Sequence, residues 1–182
     1  SDFCRQTQIP LHLDGARIFN AMAVTGQTPL QFGAWFDTIS ICLSKGLGAP
    51  IGSVLIGSKD FIKKARRVRK RLGGGWRQAG LLAAAGIYAL DHQVERLKED
   101  HARAAAIAKI CTNLPWVDSI LPVVTNIVIV RLKEGIQANE QVAVLRTKGI
   151  RCAPFGPQYI RFVTHLNFDD AAMAAFETQI NQ

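Results

Sequence analysis

Cysteine is scarce in this 182-residue chain, four residues in all, and no two stand close together. Cys4, Cys42, Cys111 and Cys152 form no C-x-x-C pair, so neither a zinc site nor a disulfide framework follows from their spacing, and no metal is expected. Cys42 and Cys111 sit in apolar runs and are expected to be buried thiols, and a reducing, cytoplasmic compartment is the simpler reading. Long apolar runs are missing as well. The longest stretch without Lys, Arg, Asp or Glu, Ile18–Phe36, carries Asn20, Thr25, Gln27, Thr28 and Gln31 and is too polar to span a bilayer, so no membrane role is expected. Neither an initiator methionine nor a basic-then-apolar leader opens the chain, so no signal peptide is expected and the abrupt start reads as that of a fragment. Internal repeats and low-complexity segments are absent too. What remains is an ordinary globular composition, 48% hydrophobic and 20% charged, enough for a real core.

The net charge of +8 is concentrated. Lys59, Lys63, Lys64, Arg66, Arg67, Arg69, Lys70 and Arg71 face only Asp60 within one segment, and the rest of the chain is close to neutral. A single basic helix on a near-neutral body fits a solvated face, a local anion site or a subunit interface better than a nucleic-acid coat.

Local patterns predict an α/β chain. Strands are expected at Pro10–Leu13, emptying into Asp14-Gly15, at Thr38–Leu43 and at Ser53–Ile56, with a Gly-rich loop, Ser44–Pro50, carrying Lys45 in its middle. Helices are expected at Arg17–Ala23, after Pro29, and at Lys59–Leu72. In the last of these Phe61, Ala65, Val68 and Leu72 form one apolar stripe, read as facing its own domain. Gly73-Gly74-Gly75 must end that helix. Gln78–Leu90 reads as a buried helix, and a long amphipathic helix runs from about Val94 to Cys111. Beyond Asn113-Leu114-Pro115 the pattern becomes a small α+β unit: strand Asn126–Leu132, helix about Asn139–Lys148, strands near Arg151–Ala153 and Tyr159–Val163, and helix Asp169–Ile180. Two domains are expected, 1–113 and 114–182.

Three clusters can carry chemistry: His12-Leu13-Asp14-Gly15-Ala16-Arg17, Ser44-Lys45-Gly46-Leu47-Gly48-Ala49-Pro50, and Lys70-Arg71-Leu72-Gly73-Gly74-Gly75-Trp76-Arg77-Gln78. Singly each is weak, since Asp-Gly is commonly a turn and a loop lysine is commonly solvated. Their order is informative. A strand-end carboxylate, followed roughly 30 residues later by a lysine after another buried strand, is what a pyridoxal phosphate (PLP) enzyme needs. The lysine bonds the cofactor, and the carboxylate keeps the pyridine nitrogen protonated. Open α/β sheets bind ligands at such carboxyl ends.

In this order the motifs resemble those of the low-specificity L-threonine aldolases, within the aromatic amino acid beta-eliminating lyase/threonine aldolase family, over essentially the whole chain. The resemblance implies an α/β, PLP-dependent transferase-like fold (aspartate aminotransferase fold type I), here the second half of the large domain plus a small C-terminal α+β domain. It implies that Lys45 is the Schiff-base lysine, that Asp14 partners the pyridine nitrogen, and that Arg17 lies near the cofactor's phenolic oxygen and the substrate carboxylate. Lys70 and Arg77 would reach the cofactor phosphate from a neighbouring subunit, and Arg161 would clamp the substrate α-carboxylate. The alternation in Ile160-Arg161-Phe162-Val163 independently puts Arg161 on the opposite strand face from Ile160 and Phe162.

The implied activity is cleavage of L-threonine or L-allo-threonine to glycine and acetaldehyde, as in glycine biosynthesis, by a cytoplasmic homo-oligomer (dimer or tetramer). Another PLP lyase acting on β-hydroxy amino acids and a basic nucleic-acid-binding module are the alternatives, the latter disfavoured by the lack of a binding motif or an aromatic stacking platform. Trp76 departs from the methionine usual in the glycine turn. The resemblance also implies that an N-terminal half, with the phosphate loop and the ring-stacking histidine, is missing here. The chain alone is therefore expected to be inactive and to expose apolar surface. His12 and His165 are read as core or second-rank histidines, not as that stacking residue.

Overall fold

The structure, a computed structural model, describes residues 2–182 and divides by contacts into two units, one ending at Glu95 and the other running from Arg96 to Gln182. In the first unit, β1 (His12–Gly15) pairs in parallel with β2 (Thr38–Cys42), and β3 (Ser53–Ile56) pairs antiparallel on the other side of β2. A parallel pair needs a crossover. It is made by α2 (Ile18–Thr25) and α3 (Pro29–Trp35), which follow the short α1 (Asp2–Gln6) in chain order. Gly26 ends α2 in a left-handed conformation, at φ 70°. Thr28 and Gln31 form a reciprocal capping box at the start of α3, with Pro29 in its first turn.

The start of the β1–β2 pair is locked by side chains as well as by the ladder. Asp37 Oδ2 accepts from the Leu11 backbone N–H at 2.7 Å, and His12 Nδ1 lies 2.8 Å from Thr38 Oγ1. β1 reaches past Leu13 to Gly15 because Asp14 and Gly15 find ladder partners in Ser40 and Ile41.

After β3 come α4 (Lys59–Arg71), capped by Ser58, and α5 (Gly80–His92). Here the structure departs from expectation. No residue of α4 is buried: Phe61 and Val68 of the apolar stripe are 41% and 42% exposed, and Leu72, just past the helix, is 81% exposed. α5 buries only Gly86 and Ala89, while Leu81, Ile87 and Tyr88 are exposed, so it is not a buried helix in this chain. All four residues of β3 are exposed too. Consequently Cys42, opposite Ser53, is only half-buried, whereas Cys111 is fully buried as expected. Periodicity reports which face of an element is apolar, and the partner that covers that face must come from elsewhere.

The second unit has its own core. Its sheet has the order β4-β5-β7-β6, antiparallel throughout, from β4 (Val117–Ile120), β5 (Ile127–Leu132), β6 (Ala153–Pro154) and β7 (Tyr159–Val163). Val128, Val130 and Leu132 on β5 and Ile160 and Phe162 on β7 point to one buried face, against α6 (Leu97–Cys111), α7 (Ala138–Thr147) and α8 (Asp170–Ile180). Each such side chain contributes about 1.5–3 kcal/mol by burial. β4 is a strand that periodicity does not find. Its register shifts between Val117 and Ser119, so the alternation is broken at Asp118.

The contact division at 95/96 and the expected one at 113/114 differ by one helix, α6, together with its flanking residues. Leu97, Ala104, Ile107 and Cys111 give α6 an apolar face that packs on β5 and α8. Buried polar groups tie the helix to the sheet as well. Thr164 Oγ1 donates to the Asp100 carbonyl at 2.6 Å, and Asn126 Nδ2 donates to the Thr164 carbonyl at 2.8 Å. Asp100 itself is fully buried and takes two hydrogen bonds from Arg96; burial still holds its carboxyl above the ordinary value, with the Arg96 guanidinium opposing the shift.

Candidate active site

Because β1 and β2 run parallel, their carboxyl ends lie on the same edge of the sheet, and each end carries a group of chemical interest. Asp14 is the penultimate residue of β1, exposed, with Oδ1 accepting from the Ala16 backbone N–H at 3.2 Å. Gly15 is required beside it, since a Cβ there would come within 2.8 Å of the Ser40 carbonyl oxygen on β2. Arg17 is half-buried and occupies the N-cap position of α2, so strand end and helix start hold Asp14 and Arg17 within one tight turn.

Lys45 follows β2 by three residues and is exposed. Its loop is not loose. Leu47 and Ala49 are buried at 2% and 7% exposure and anchor it, the Gly48 N–H donates to the Lys45 carbonyl at 2.9 Å, and the Ala49 N–H donates to the Leu43 carbonyl at 3.0 Å. The pinned backbone places Lys45 just past the carboxyl end of β2, the sheet edge at which Asp14 stands near the end of β1. An amine, a carboxylate, a nearby guanidinium and a backbone that approaches closely at Gly15 are a donor set that fits a planar, anionic, pyridine-bearing cofactor.

Lys70 is exposed in the last turn of α4, and Arg77 is exposed in the turn before α5. The glycine turn folds back on the helix end: Gly73 has φ 83°, and a Cβ on Gly75 would collide with the Lys70 side chain. Arg161 belongs to the second unit. It sits on the inner strand β7, opposite Ile129 on β5 and Ala153 on β6, on the face away from the core. Its Nε is buried without a hydrogen-bond partner, and its guanidinium carbon lies 5.7 Å from the centroid of the Phe155 ring. A buried donor without an acceptor is costly, and an arriving carboxylate would satisfy it.

The lock formed by His12, Thr38, Asp37 and Leu11 is a feature that motif reading does not find; its signal is Asp37 directly before a strand that opens with Thr38. No group of three or more His, Cys, Asp or Glu able to hold a metal occurs among the described residues. No helix among them is long and apolar enough to cross a membrane.

An α/β unit followed by a small antiparallel unit, superposable on solved threonine aldolases and aminotransferases, places the chain in the fold of the fold-type-I PLP-dependent enzymes. Residues 1–135 match the beta-eliminating lyase family, and the chain belongs to that family. Its relatives include the low specificity L-threonine aldolase of Escherichia coli O157:H7, 41% identical over 174 residues that cover 95% of this chain and 50% of that protein. The low-specificity L-threonine aldolase of Candida albicans is 44% identical over 149 residues, 81% of this chain and 40% of that protein. The structure of Leishmania major threonine aldolase superposes with a TM-score of 0.75 at 20% identity, over 98% of this chain and 53% of that one. The chain thus spans about half the length of the curated relatives it matches.

Proposed function

We propose that this chain is part of a PLP-dependent aldehyde-lyase that cleaves L-threonine and L-allo-threonine to glycine and acetaldehyde. The observation that carries this reading is the parallel β1–β2 pair, with Asp14 at the carboxyl end of one strand and Lys45 just past that of the other. The kinship with threonine aldolases selects the reaction.

PLP, when bound, supplies an electron sink for the negative charge left on the substrate Cα as the Cα–Cβ bond breaks. Lys45 would supply the amine that holds the cofactor. The Asp14 carboxylate would face the pyridine nitrogen and keep it protonated, which would maintain the sink. Arg161 would offer its planar fork to the substrate carboxylate, and Arg17, one tight turn from Asp14, would supply a cation beside the cofactor. Proton balance requires a base that takes the β-hydroxyl proton as acetaldehyde leaves, and a donor that returns a proton to Cα. Lys70 and Arg77 would neutralise the cofactor phosphate of a partner subunit, so that complete sites would need a homo-oligomer. The basic helix then serves that interface and not a nucleic acid. The free thiols support a reducing, cytoplasmic setting.

The test is acetaldehyde release from L-threonine, read by a coupled alcohol dehydrogenase, in a polypeptide spanning the full length of these relatives. PLP-dependent release is the expected result. PLP binding together with turnover of a different β-hydroxy amino acid only would replace threonine as the substrate.

A further inference from the structure

The second unit contains a cavity of about 550 Å³, in the size range of small-molecule sites, whose residues take no part in the reaction proposed above. It lies between α8, the Lys148–Arg151 turn that follows α7, and the end of β7. Its floor is aromatic. Phe162 and Phe176 meet edge to face with ring centroids 5.7 Å apart, and Phe168 lies 6.5 Å from Phe176, also edge to face. α8 contributes Ala172 and Ala175, three residues apart on one helix face, and their small side chains leave the space open.

The polar lining has one sign. Lys148 and Arg151 border the cavity, and among the described residues no Asp or Glu lines it. His165 Nδ1 accepts from the Asn167 backbone N–H at 3.2 Å, so its Nε2 carries the hydrogen in the neutral ring and is a further donor at the rim. Apolar walls with a few convergent cationic donors select a ligand that has an apolar body and one acidic end.

We propose that this cavity binds a small arylalkanoate, with its ring against the three phenylalanines and its carboxylate at Lys148 and Arg151. Benzene-ring edges and faces pair with those of Phe162, Phe168 and Phe176 in the offset and edge-to-face geometries aromatic groups prefer. Arg151 offers the planar fork that suits a carboxylate, and Lys148 adds a mobile second charge.

The test uses the full 182-residue chain and 3-(4-fluorophenyl)propionate, followed by ¹⁹F line broadening and shift as protein is titrated in. Saturable binding is expected, with the matching alcohol and amine about tenfold weaker or more. Replacing both cations, Lys148→Gln with Arg151→Gln, should weaken the acid about tenfold and leave the alcohol unchanged. Ala175→Phe, at an exposed helix position, should fill the cavity and abolish binding while the thermal unfolding curve is retained. Absence of saturable binding, equal binding of acid and alcohol, or full binding by Ala175→Phe would each overturn the proposal.

Discussion

Gly15→Ala is the perturbation in which the fold and the proposed chemistry meet most directly. A Cβ at this position would lie 2.8 Å from the Ser40 carbonyl oxygen, 3.2 Å from Ile39 Cγ2 and 3.4 Å from Ile18 Cβ. The first contact is about 0.6 Å short of ordinary van der Waals distance, and its partner is a backbone atom that cannot rotate away. β1 must therefore move off β2 next to Asp14, at a cost of about 1–3 kcal/mol, the usual range for overpacking. Gly33→Ala is the control. Gly33 lies inside α3 with nothing within 4 Å of its added Cβ, so the same substitution should stabilise by about 0.5–1 kcal/mol through helix propensity. In a unit of this size, 1 kcal/mol moves the melting temperature by roughly 4–8 °C. Circular dichroism melts should show Gly15→Ala at least about 4 °C below the parent and Gly33→Ala at or above it. In a full-length polypeptide, Gly15→Ala should also retain PLP less well, since Asp14 moves with the strand. An unchanged or raised melting temperature for Gly15→Ala, with Gly33→Ala behaving as stated, would refute the claim that close β1–β2 approach requires glycine there.

Borohydride reduction of the PLP-loaded, full-length polypeptide should place the pyridoxyl label on Lys45 by peptide mapping and leave none in Lys45→Ala; a label on Lys59, Lys63 or Lys70 instead would sink the assignment. Arg161→Lys keeps the charge but loses the fork, so kcat/KM for threonine should fall by about 1–3 kcal/mol, mostly through KM, with PLP affinity little changed; unaltered kinetics would return Arg161 to a structural role. Mixing Lys45→Ala and Arg77→Ala subunits should restore part of the activity lost in each if sites are completed across subunits. Verified heterodimers without activity, or strongly salt-dependent DNA retention by the parent chain, would favour the nucleic-acid reading of α4. Burial pushes the Cys111 thiol up to about 12 and the half-buried Cys152 thiol to about 11, so at mildly alkaline pH neither carries much thiolate. An aromatic disulfide reagent should then modify Cys4 and Cys42 well before Cys111, and equally fast modification of Cys111 in the folded chain would contradict that burial.

Much of the chain's local structure was legible in the sequence because its causes are local. Period-two and period-3.6 apolar patterns marked β2, β3, α4 and β7 within a residue or two, and Pro29 and the triple glycine marked a helix start and a helix end. Asp14, Lys45 and the basic helix were visible as residue types at strand and loop positions. Other features are decided by partners far away in the chain. β4 escaped notice because the irregularity at Asp118 breaks its alternation, and only pairing with β5 makes it a strand. The exposure of α4 and α5 is invisible to periodicity, since an apolar stripe looks the same whether or not anything covers it. That Asp14 and Lys45 share one sheet edge follows from the parallel register of β1 on β2, a non-local choice made when the α2–α3 crossover returns the chain in the same direction. The orphaned Arg161 Nε and the phenylalanine-floored cavity likewise exist only once β7, α8 and the turn after α7 have packed, because burial and enclosure belong to assembled surfaces and not to any one segment.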